Sequence, residues 1–363
     1  MAFDDLSAGP GAAMRFGILG CGVISSIHAR ALASMPGVRL RAVADEDGDR
    51  AAALARDTGA DVLTPERLVC HGEVDAICIC TPPGAHAAAA CAAAGAGKHL
   101  VVEKPIDISL AAADRIIDAC RRGGVGLAVI SQHRFDRGVV RLKAAIDEGR
   151  LGRLALGDAV VKWYRPQQYY DADWKGKREV AGGGALINQG IHFVDLLLHL
   201  MGPVDRVTGR CATIGHDTEV EDVALGWLRY RNGAAGTVYV TTAAYPGARE
   251  RIEVTGDRGT AVVDGDRVLR WAVDGEEPAT DEPEEVLSDA ELADRMVEVH
   301  RRQLADAVEA FRTGREPLIG GAEGRAALEV VDAIYRSSAT GEDVRLRPPA
   351  AEPRRVSEVP TGG

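Results

Sequence analysis

The sequence predicts an α/β domain built on a parallel sheet, followed by an α+β domain whose sheet is mostly antiparallel. Length is the first reason: 363 residues exceed the roughly 250–300 at which one hydrophobic core stops growing, so two domains are the natural arrangement. The second is the pattern from Arg15 to about Val129, where short aliphatic and β-branched runs alternate with Ala-rich helical segments, as in βαβ units. The third is the change after about Phe135 to successive strands separated by tight Gly, Asn-Gly and Asp-Arg-Gly turns.

Taken in order, MAFDDLSAGPGAA (1–13) carries early acids and no long apolar core, and reads as a flexible tail rather than a signal peptide or anchor. Residues 14–134 hold the strands RFGILG, VRLRAVAD, VDAICICT, KHLVVE and GLAVIS. Residues 135–347 hold RLALGDAVVKWY, RVTGRCATIG, DVALGWLRYRN, GAAGTVYVTTAAY, RERIEVTGDRG and TAVVDG as strands. Two helices complete this domain, DRMVEVHRRQLADAVEAFRTG and GGAEGRAALEVVDAIYRSSATG, each closing near a glycine. The acidic stretch from Asp274 to Glu285 reads as a solvated loop, and 348–363 as a second flexible tail.

Hydrophobic residues make up 46% of the chain and charged ones 27%, enough for sizeable cores. A net charge of -11 argues against nucleic acid or an anionic membrane as partner, since both need a basic face. The apolar FVDLLLHLM is too short and too polar to span a membrane. A small-molecule ligand is the remaining default. Seven cysteines without a Cys-x-x-Cys pair fit a reducing cytoplasm better than a disulfide scaffold.

GILGCGVISSIHARAL follows the first strand directly and contains Gly20-x-Gly22-x-x-Ser25. In a strand-turn-helix, Gly20 permits the tight turn, Gly22 lets backbone amides approach a pyrophosphate, and the helix N-terminus at Val23 and Ile24 supplies partial positive charge. Ser25 replaces the third glycine and is small enough for close helix–strand packing. The second strand ends in Asp45, about 23 residues after Gly22, where a carboxylate accepts both ribose hydroxyls and repels a 2′-phosphate. These features point to a Rossmann domain that takes NAD in preference to NADP, with Arg50 nearby to soften the preference.

Two further elements are more specific. VDAICICTPPGAHAAAACAAAGAGKHLVVEKPID places Thr81-Pro82-Pro83 after one strand and Glu103-Lys104-Pro105 after the next, at the carboxyl ends where such folds bind ligands. With VISQHRF and GGGALINQGIH they resemble the Gfo/Idh/MocA oxidoreductases, named from glucose-fructose oxidoreductase and inositol dehydrogenase, from Arg15 to about Arg347. The resemblance implies an NAD-binding Rossmann domain at 14–134 and, at 135–347, a substrate-binding and oligomerisation domain with a large open sheet. It also implies a substrate bound between that sheet and the nicotinamide, and a homodimer or homotetramer formed through the sheets. On this basis Thr81, Pro82, His86, Glu103 and Lys104 become candidate cofactor contacts. Trp174 joins them, because Trp174-Lys175 stands where related sugar-nucleotide enzymes carry a Trp-Arg pair reaching toward the cofactor. His28, His86 and His133 sit near the predicted cofactor-side loops, and for each a structural or supporting role is the favoured reading.

Oxidising a secondary alcohol requires hydride transfer and removal of the hydroxyl proton, so a base must stand near the carbinol oxygen. GGGALINQGIHFVDLLLHLMG spaces Asn188, His192 and Asp195 so that they share one face of an α-helix. Neutral His192 suits the proton acceptor, with Asp195 or Asn188 to hold its tautomer. In the family the lysine of the Glu-Lys-Pro element donates to the same oxygen, which implies that role for Lys104; burial beside a nicotinium lowers its pKa and suits it to relay the proton. Which of the two is the primary base is open at this stage. The inositol dehydrogenase pattern has an aspartate where this chain has Asn188, and the Asn form resembles the branch acting on sugars and sugar nucleotides. The glycines 182–184 are expected to let the backbone pass close to substrate or nicotinamide.

KWYRPQQYYDADWKGKREVAGGG is loaded with aromatics, although they are only 4% of the chain. Trp163, Tyr164, Arg165 and Tyr169, with Tyr170, Trp174, Arg134 and Asn188, are candidate walls for the apolar faces and hydroxyls of a carbohydrate. No metal motif is present, and HDTEVEDV reads as a solvated face rather than a cation site. The sequence thus points to an NAD(P)-dependent dehydrogenase or ketoreductase acting on a CH–OH group of a sugar, sugar nucleotide or cyclitol. Two other readings stay open: an NAD-using glycosidase that oxidises its sugar transiently, and a non-catalytic dinucleotide sensor.

Overall fold

The computed structural model describes residues 13–171, 174–275 and 289–346. Residues 1–12, the tail 348–363 and most of the acidic stretch from Asp274 to Glu285 lie outside the described residues.

Six strands form the first sheet: β1 (Met14–Leu19), β2 (Val38–Ala44), β3 (Asp61–Val62), β4 (Ala76–Ile79), β5 (His99–Val102) and β6 (Leu127–Val129). All pairs are parallel, in the order β3-β2-β1-β4-β5-β6. β4 and β6 are buried along their whole length, as strands covered on both faces must be. The five strands expected from the sequence are present; β3, not expected, has two exposed residues and no apolar run to announce it. The associated helices are α1 (Val23–Ala33), α2 (Gly48–Thr58), α3 (Pro65–Val69), α4 (His86–Gly95) and α5 (Leu110–Gly123). Asp47 caps α2 and Ser109 caps α5 through their side chains, and Gly59 and Gly124 end these helices in the left-handed conformation. Strand order reverses between β1 and β4, so the ligand crevice opens at the carboxyl ends of those strands, beside Gly20 and Thr81.

The second sheet has eight strands: β7 (Leu154–Lys162), β8 (Val204–Ala212), β9 (Val223–Tyr230), β10 (Ala235–Thr241), β11 (Arg251–Gly256), β12 (Gly259–Asp264), β13 (Arg267–Val273) and β14 (Val344–Arg345). Their order is β13-β12-β11-β7-β10-β9-β8-β14, antiparallel except for the β7–β10 pair. β13 and β14 go beyond the sequence-based expectation. Alternation in β9 turns Ala224, Gly226, Leu228 and Tyr230 inward and Leu225, Trp227 and Arg229 outward.

The remaining helices are α6 (Arg137–Asp147), α7 (Gln167–Asp171), α8 (Arg178–Ala181), α9 (Ile191–Met201), α10 (Asp289–Thr313) and α11 (Gly321–Thr340). α9 and α11 cover the inner face of the second sheet. α10 packs against α1 instead, and its Leu304, Ala307, Val308 and Phe311 join the core of Ile18, Leu32 and Val101. The sequence placed α10 with the second domain, because an amphipathic stripe does not name the surface it will meet. Gln303 ties the same helix to the end of β6, accepting from the Ser131 N–H and donating to the Val129 carbonyl.

Candidate active site

The turn from β1 into α1 builds the dinucleotide end of the crevice. Gly20 sits at φ 94°, where a side chain would lie 2.6 Å from the backbone of Cys80 and Thr81, so only glycine fits. Gly22 caps α1 without a side chain, and a Cβ added there would meet nothing within 4 Å. The helix N-terminus therefore faces an open cradle of the kind an anionic pyrophosphate fills. Val23 is 87% exposed in the first turn, an apolar surface that a bound nucleotide would cover, while Ile24 packs on the core. Ser25 is buried in the helix–sheet contact and donates to the Gly22 carbonyl. Asp45 accepts N–H bonds from Cys21 at 2.6 Å and Asp47 at 2.8 Å, one on each oxygen, which braces the glycine turn and leaves further lone pairs for a ribose. Arg50 is paired with Asp47 at 3.2 Å.

Thr81 and the Glu103-Lys104-Pro105 element follow β4 and β5. Thr81 Oγ1 is buried without a hydrogen-bond partner, the kind of orphan a ligand satisfies. His86 does not reach the crevice. It is fully buried, with Nε2 2.9 Å from the Thr81 carbonyl and Nδ1 3.0 Å from the Pro105 carbonyl, and so clamps the two loops together. Glu103 also turns inward, its Oε1 accepting from His28 Nε2 at 2.7 Å and its Oε2 from the Lys104 N–H at 3.1 Å. Burial would raise its carboxyl, but His28, His300 and Lys104 draw it down to about 2. The expected cofactor contact of His86 is thereby corrected, and Glu103 joins it in shaping the loop that carries Lys104. His28, Glu103 and His300 have the composition of a metal site, yet His28 and Glu103 touch at hydrogen-bond distance, 2.7 Å. Two donors sharing a tetrahedral ion at ~2.0–2.1 Å stand about 3.3 Å apart.

The segment Leu186–Gly190 is a turn of π-helix running into α9. Its wider turn shifts Asn188 off the α-helical face that spacing alone suggested. Asn188 Nδ2 donates to the Gly183 carbonyl, and the Asn188 carbonyl accepts from Lys104 Nζ at 2.7 Å. Burial lowers the Lys104 ammonium below the usual lysine value, with Glu103 opposing and Lys175 adding to the effect. His192 is buried and its Nδ1 has no partner. Burial, then Lys104, His133 and His300, hold it well below the usual histidine value, so the ring is neutral. Asp195 does not orient it. That carboxylate takes a bidentate pair from Arg134, at 2.7 and 2.6 Å, and a hydrogen bond from Ser131. Two expectations change together: Asp195 is not the partner of His192, and Arg134 gives its guanidinium to Asp195 rather than to substrate. A buried guanidinium needs a carboxylate, and the bidentate geometry is the strong form of that pairing.

The aromatic segment supplies one wall near the π-turn. Trp163 Nε1 donates to Glu250 at 3.0 Å, and its ring stands edge-on to Phe193 of α9. The Tyr169 hydroxyl accepts from Gln189 Nε2 at 2.8 Å, and two cations approach its ring: Lys175 Nζ at 4.2 Å and Arg165 Cζ at 5.5 Å from the centroid. Tyr164 is exposed beside Tyr245, and Trp174 is half-buried in the turn next to Lys175. Tyr170 belongs to the core, with its hydroxyl on Thr242 and its ring on His216.

Residues 14–131 match the family described as an oxidoreductase family with an NAD-binding Rossmann fold, and residues 139–262 match the GFO/IDH/MocA C-terminal domain. The chain belongs to the Gfo/Idh/MocA oxidoreductases. It is an NAD-dependent oxidoreductase of that family. The chain is 27% identical to the myo-inositol 2-dehydrogenase of Thermotoga maritima, over 92% of its own length and 98% of that protein. It is 29% identical to the inositol 2-dehydrogenase of Rhizobium meliloti, over 92% and 99%. Among solved structures it is 34% identical to the WlbA dehydrogenase of Bordetella pertussis in complex with NADH and UDP-GlcNAcA, with a TM-score of 0.83 and coverage of 93% of this chain and 99% of that one.

In this Gfo/Idh/MocA chain much of the support for the site comes from residues the sequence did not announce. HDTEVEDV is no solvated face at its end: Glu221 is 3% exposed and Asp222 0%. Glu221 accepts from the Gly184 and Leu186 N–H groups, at 2.9 and 3.0 Å, and from the Tyr335 hydroxyl at 2.8 Å. Asp222 accepts from the Ile214 and Gly215 N–H groups and lies 2.8 Å from His216 Nδ1. The available signal was the glycine run itself, since a loop entering a buried helix has N–H groups that need acceptors. A Cβ on Gly183 would collide with the Tyr335 hydroxyl, and one on Gly184 with the Glu221 carbonyl. The close approach these two glycines permit is to the protein's own frame.

Proposed function

We propose that this chain oxidises a secondary hydroxyl of a sugar or sugar nucleotide, or reduces the corresponding ketone, with Lys104 and His192 handling the proton. One observation carries the reading: Lys104 Nζ is held at 2.7 Å by the Asn188 carbonyl, four residues before the neutral, unpartnered His192. Gly20, Gly22, Val23 and Ile24 would take the pyrophosphate and Asp45 the ribose, with Thr81, Pro82 and Trp174 completing the cofactor contacts. NAD supplies the hydride acceptor when bound there. Neutral His192 takes the hydroxyl proton, and Lys104 donates to the same oxygen as it gains alkoxide charge. Asp195 acts at one remove, fixing Ser131 and Arg134 against α9. Trp163, Tyr164 and Tyr169 offer the apolar and hydroxyl-bearing wall for a sugar ring.

Asn188 in place of aspartate, and the similarity to WlbA dehydrogenase, favour a sugar or sugar nucleotide over inositol. A homodimer or homotetramer through the second sheet is supported by its outer face, where Leu225 is 48% and Trp227 42% exposed. A cytoplasmic site of action is supported by the seven free cysteines. The test follows NADH absorbance with NAD⁺ and a panel of nucleotide sugars, free sugars and cyclitols. Lys104→Ala and His192→Ala should each lower kcat by about 10²–10⁴-fold while NADH affinity is retained. Near-wild-type turnover in either variant removes that residue from the mechanism. Aglycone release without net NADH would instead mark transient oxidation by a glycosidase.

A further inference from the structure

We propose that the substrate is an acid, and that Arg165 and Lys175 together bind an anionic oxygen group on it, either a carboxylate of the sugar or a phosphate of an attached nucleotide. This rests on Lys104 and His192 as the reacting pair.

Three other arginines of restricted exposure each meet a carboxylate: Arg41 meets Asp61 and Glu73, Arg134 meets Asp195, and Arg302 meets Asp266 and Glu298. Arg165 and Lys175 are half-buried in a chain of net charge -11, yet among the described residues neither side chain meets a carboxylate. The Arg165 side chain donates to the Tyr164 carbonyl at a long 3.4 Å and, among the described residues, otherwise meets only the Tyr169 phenol and the Trp163 ring. The two cations also repel each other: burial and then Arg165 lower Lys175 from its usual value, and Lys175 acts in turn on Lys104. Like charges gathered without a counter-charge raise the free energy of the empty site and favour an anion in it.

The arrangement is held in place and connected to the reacting pair. Arg165 donates its N–H to the Thr242 carbonyl at 2.8 Å, and its carbonyl lies 2.7 Å from His216 Nε2, braced in turn by Asp222. Thr218 Oγ1 donates at 3.2 Å to the carbonyl of Gly176, the residue after Lys175. The guanidinium rests near the Trp163 ring, at 5.3 Å, and the Tyr169 ring, leaving N–H edges for a pair of anionic oxygens. Tyr169 is bonded to Gln189, next to the Asn188 carbonyl that holds Lys104. One short chain of contacts thus runs from the two uncompensated cations to the ammonium that acts on the hydroxyl.

The full-length enzyme, saturated with NADH, is titrated calorimetrically with glucose, glucuronate, UDP-glucose and UDP-glucuronate, and turnover of each with NAD⁺ is measured in parallel. Preference for both uronates over their neutral partners assigns the carboxylate. Preference for both UDP sugars regardless of the uronate assigns the phosphate. In either case Lys175→Met and Arg165→Gln should each weaken the preferred acid about 10- to 100-fold more than they weaken glucose or NADH. Equal or unmeasurable binding of acidic and neutral probes, an equal loss for every probe in both variants, or a loss confined to NADH overturns the proposal. Lys104→Ala tells the two readings apart. It should abolish turnover while the preference for acid persists in the titration; turnover that survives sinks the proton-handling assignment and leaves the anion site to be judged by binding alone.

Discussion

Replacing Asp195 by alanine strands Arg134 in a buried position with no carboxylate. The two side chains are 4% and 11% exposed in the folded protein, joined by N–H···O bonds of 2.7 and 2.6 Å, with Ser131 donating to the same carboxylate. Breaking a buried pair by removing one partner costs about 3–5 kcal/mol, most of it the penalty on the charge left behind. Urea unfolding of Asp195→Ala should show a loss of that order, and Asp195→Ala combined with Arg134→Met should recover part of it, because no charge is then stranded. Kinetics give the second readout. His192 is outside the hydrogen-bond set of Asp195, so kcat per folded enzyme should fall far less than in His192→Ala. A variant of wild-type stability whose kcat drops to the His192→Ala level would refute the reasoning and make Asp195 the partner of the histidine after all.

Two glycine substitutions should behave oppositely. Gly22→Ala enters open space, so the melting temperature should hold while NADH affinity, measured by titration, falls by about tenfold. Gly184→Ala drives a methyl into the Glu221 carbonyl and should cost about 1–3 kcal/mol in denaturant unfolding; unchanged stability would mean that the loop has room the structure does not show. The His28–Glu103 pair sets a pH window. The Glu103 carboxyl is drawn from 4.5 to about 2, so its stabilisation is present above pH 4.5 and lost as pH falls toward 2. Burial would lower His28, but Cys78 and then Glu103 raise it from 6.5 to about 10, so its share is present below pH 6.5 and lost as pH rises toward 10. The deficit of Glu103→Gln against wild type should be greatest between these limits and shrink on either side, and a deficit independent of pH would show that the pair is not ionised.

The dinucleotide end of the crevice was legible because its signals are local. Gly20, Gly22 and Asp45 fall within one strand-helix-strand unit, and β1, β2, β4, β5 and β6 each end in or consist of a short buried apolar run. β3 and β14, two residues each, leave no such trace. The π-turn at Leu186–Gly190 was invisible for a different reason: the spacing of Asn188, His192 and Asp195 also suits an unbroken α-helix, and packing of the glycine loop on Glu221 and Tyr335 accompanies the departure from it. The remaining corrections share one cause. Asp195 meets Arg134 across 61 positions of sequence, Glu103 meets His28 across 75, and Glu221 meets Tyr335 across 114, and no local window tells which carboxylate will take which donor.

In sequence, a charged residue that the fold uses to hold another looks the same as one left free for a ligand. Glu103, Asp195, Arg134 and Glu221 are of the first kind, and each is satisfied within the protein. Lys104, His192, Arg165 and Lys175 are alike in what remains after that pairing: an ammonium on a single carbonyl, a neutral histidine with an orphaned nitrogen, and two cations without a carboxylate among the described residues. Folding alone would select against such groups, since each raises the free energy of the native state. Their connection through Tyr169, Gln189 and the Asn188 carbonyl is physically sensible where ligands complete them.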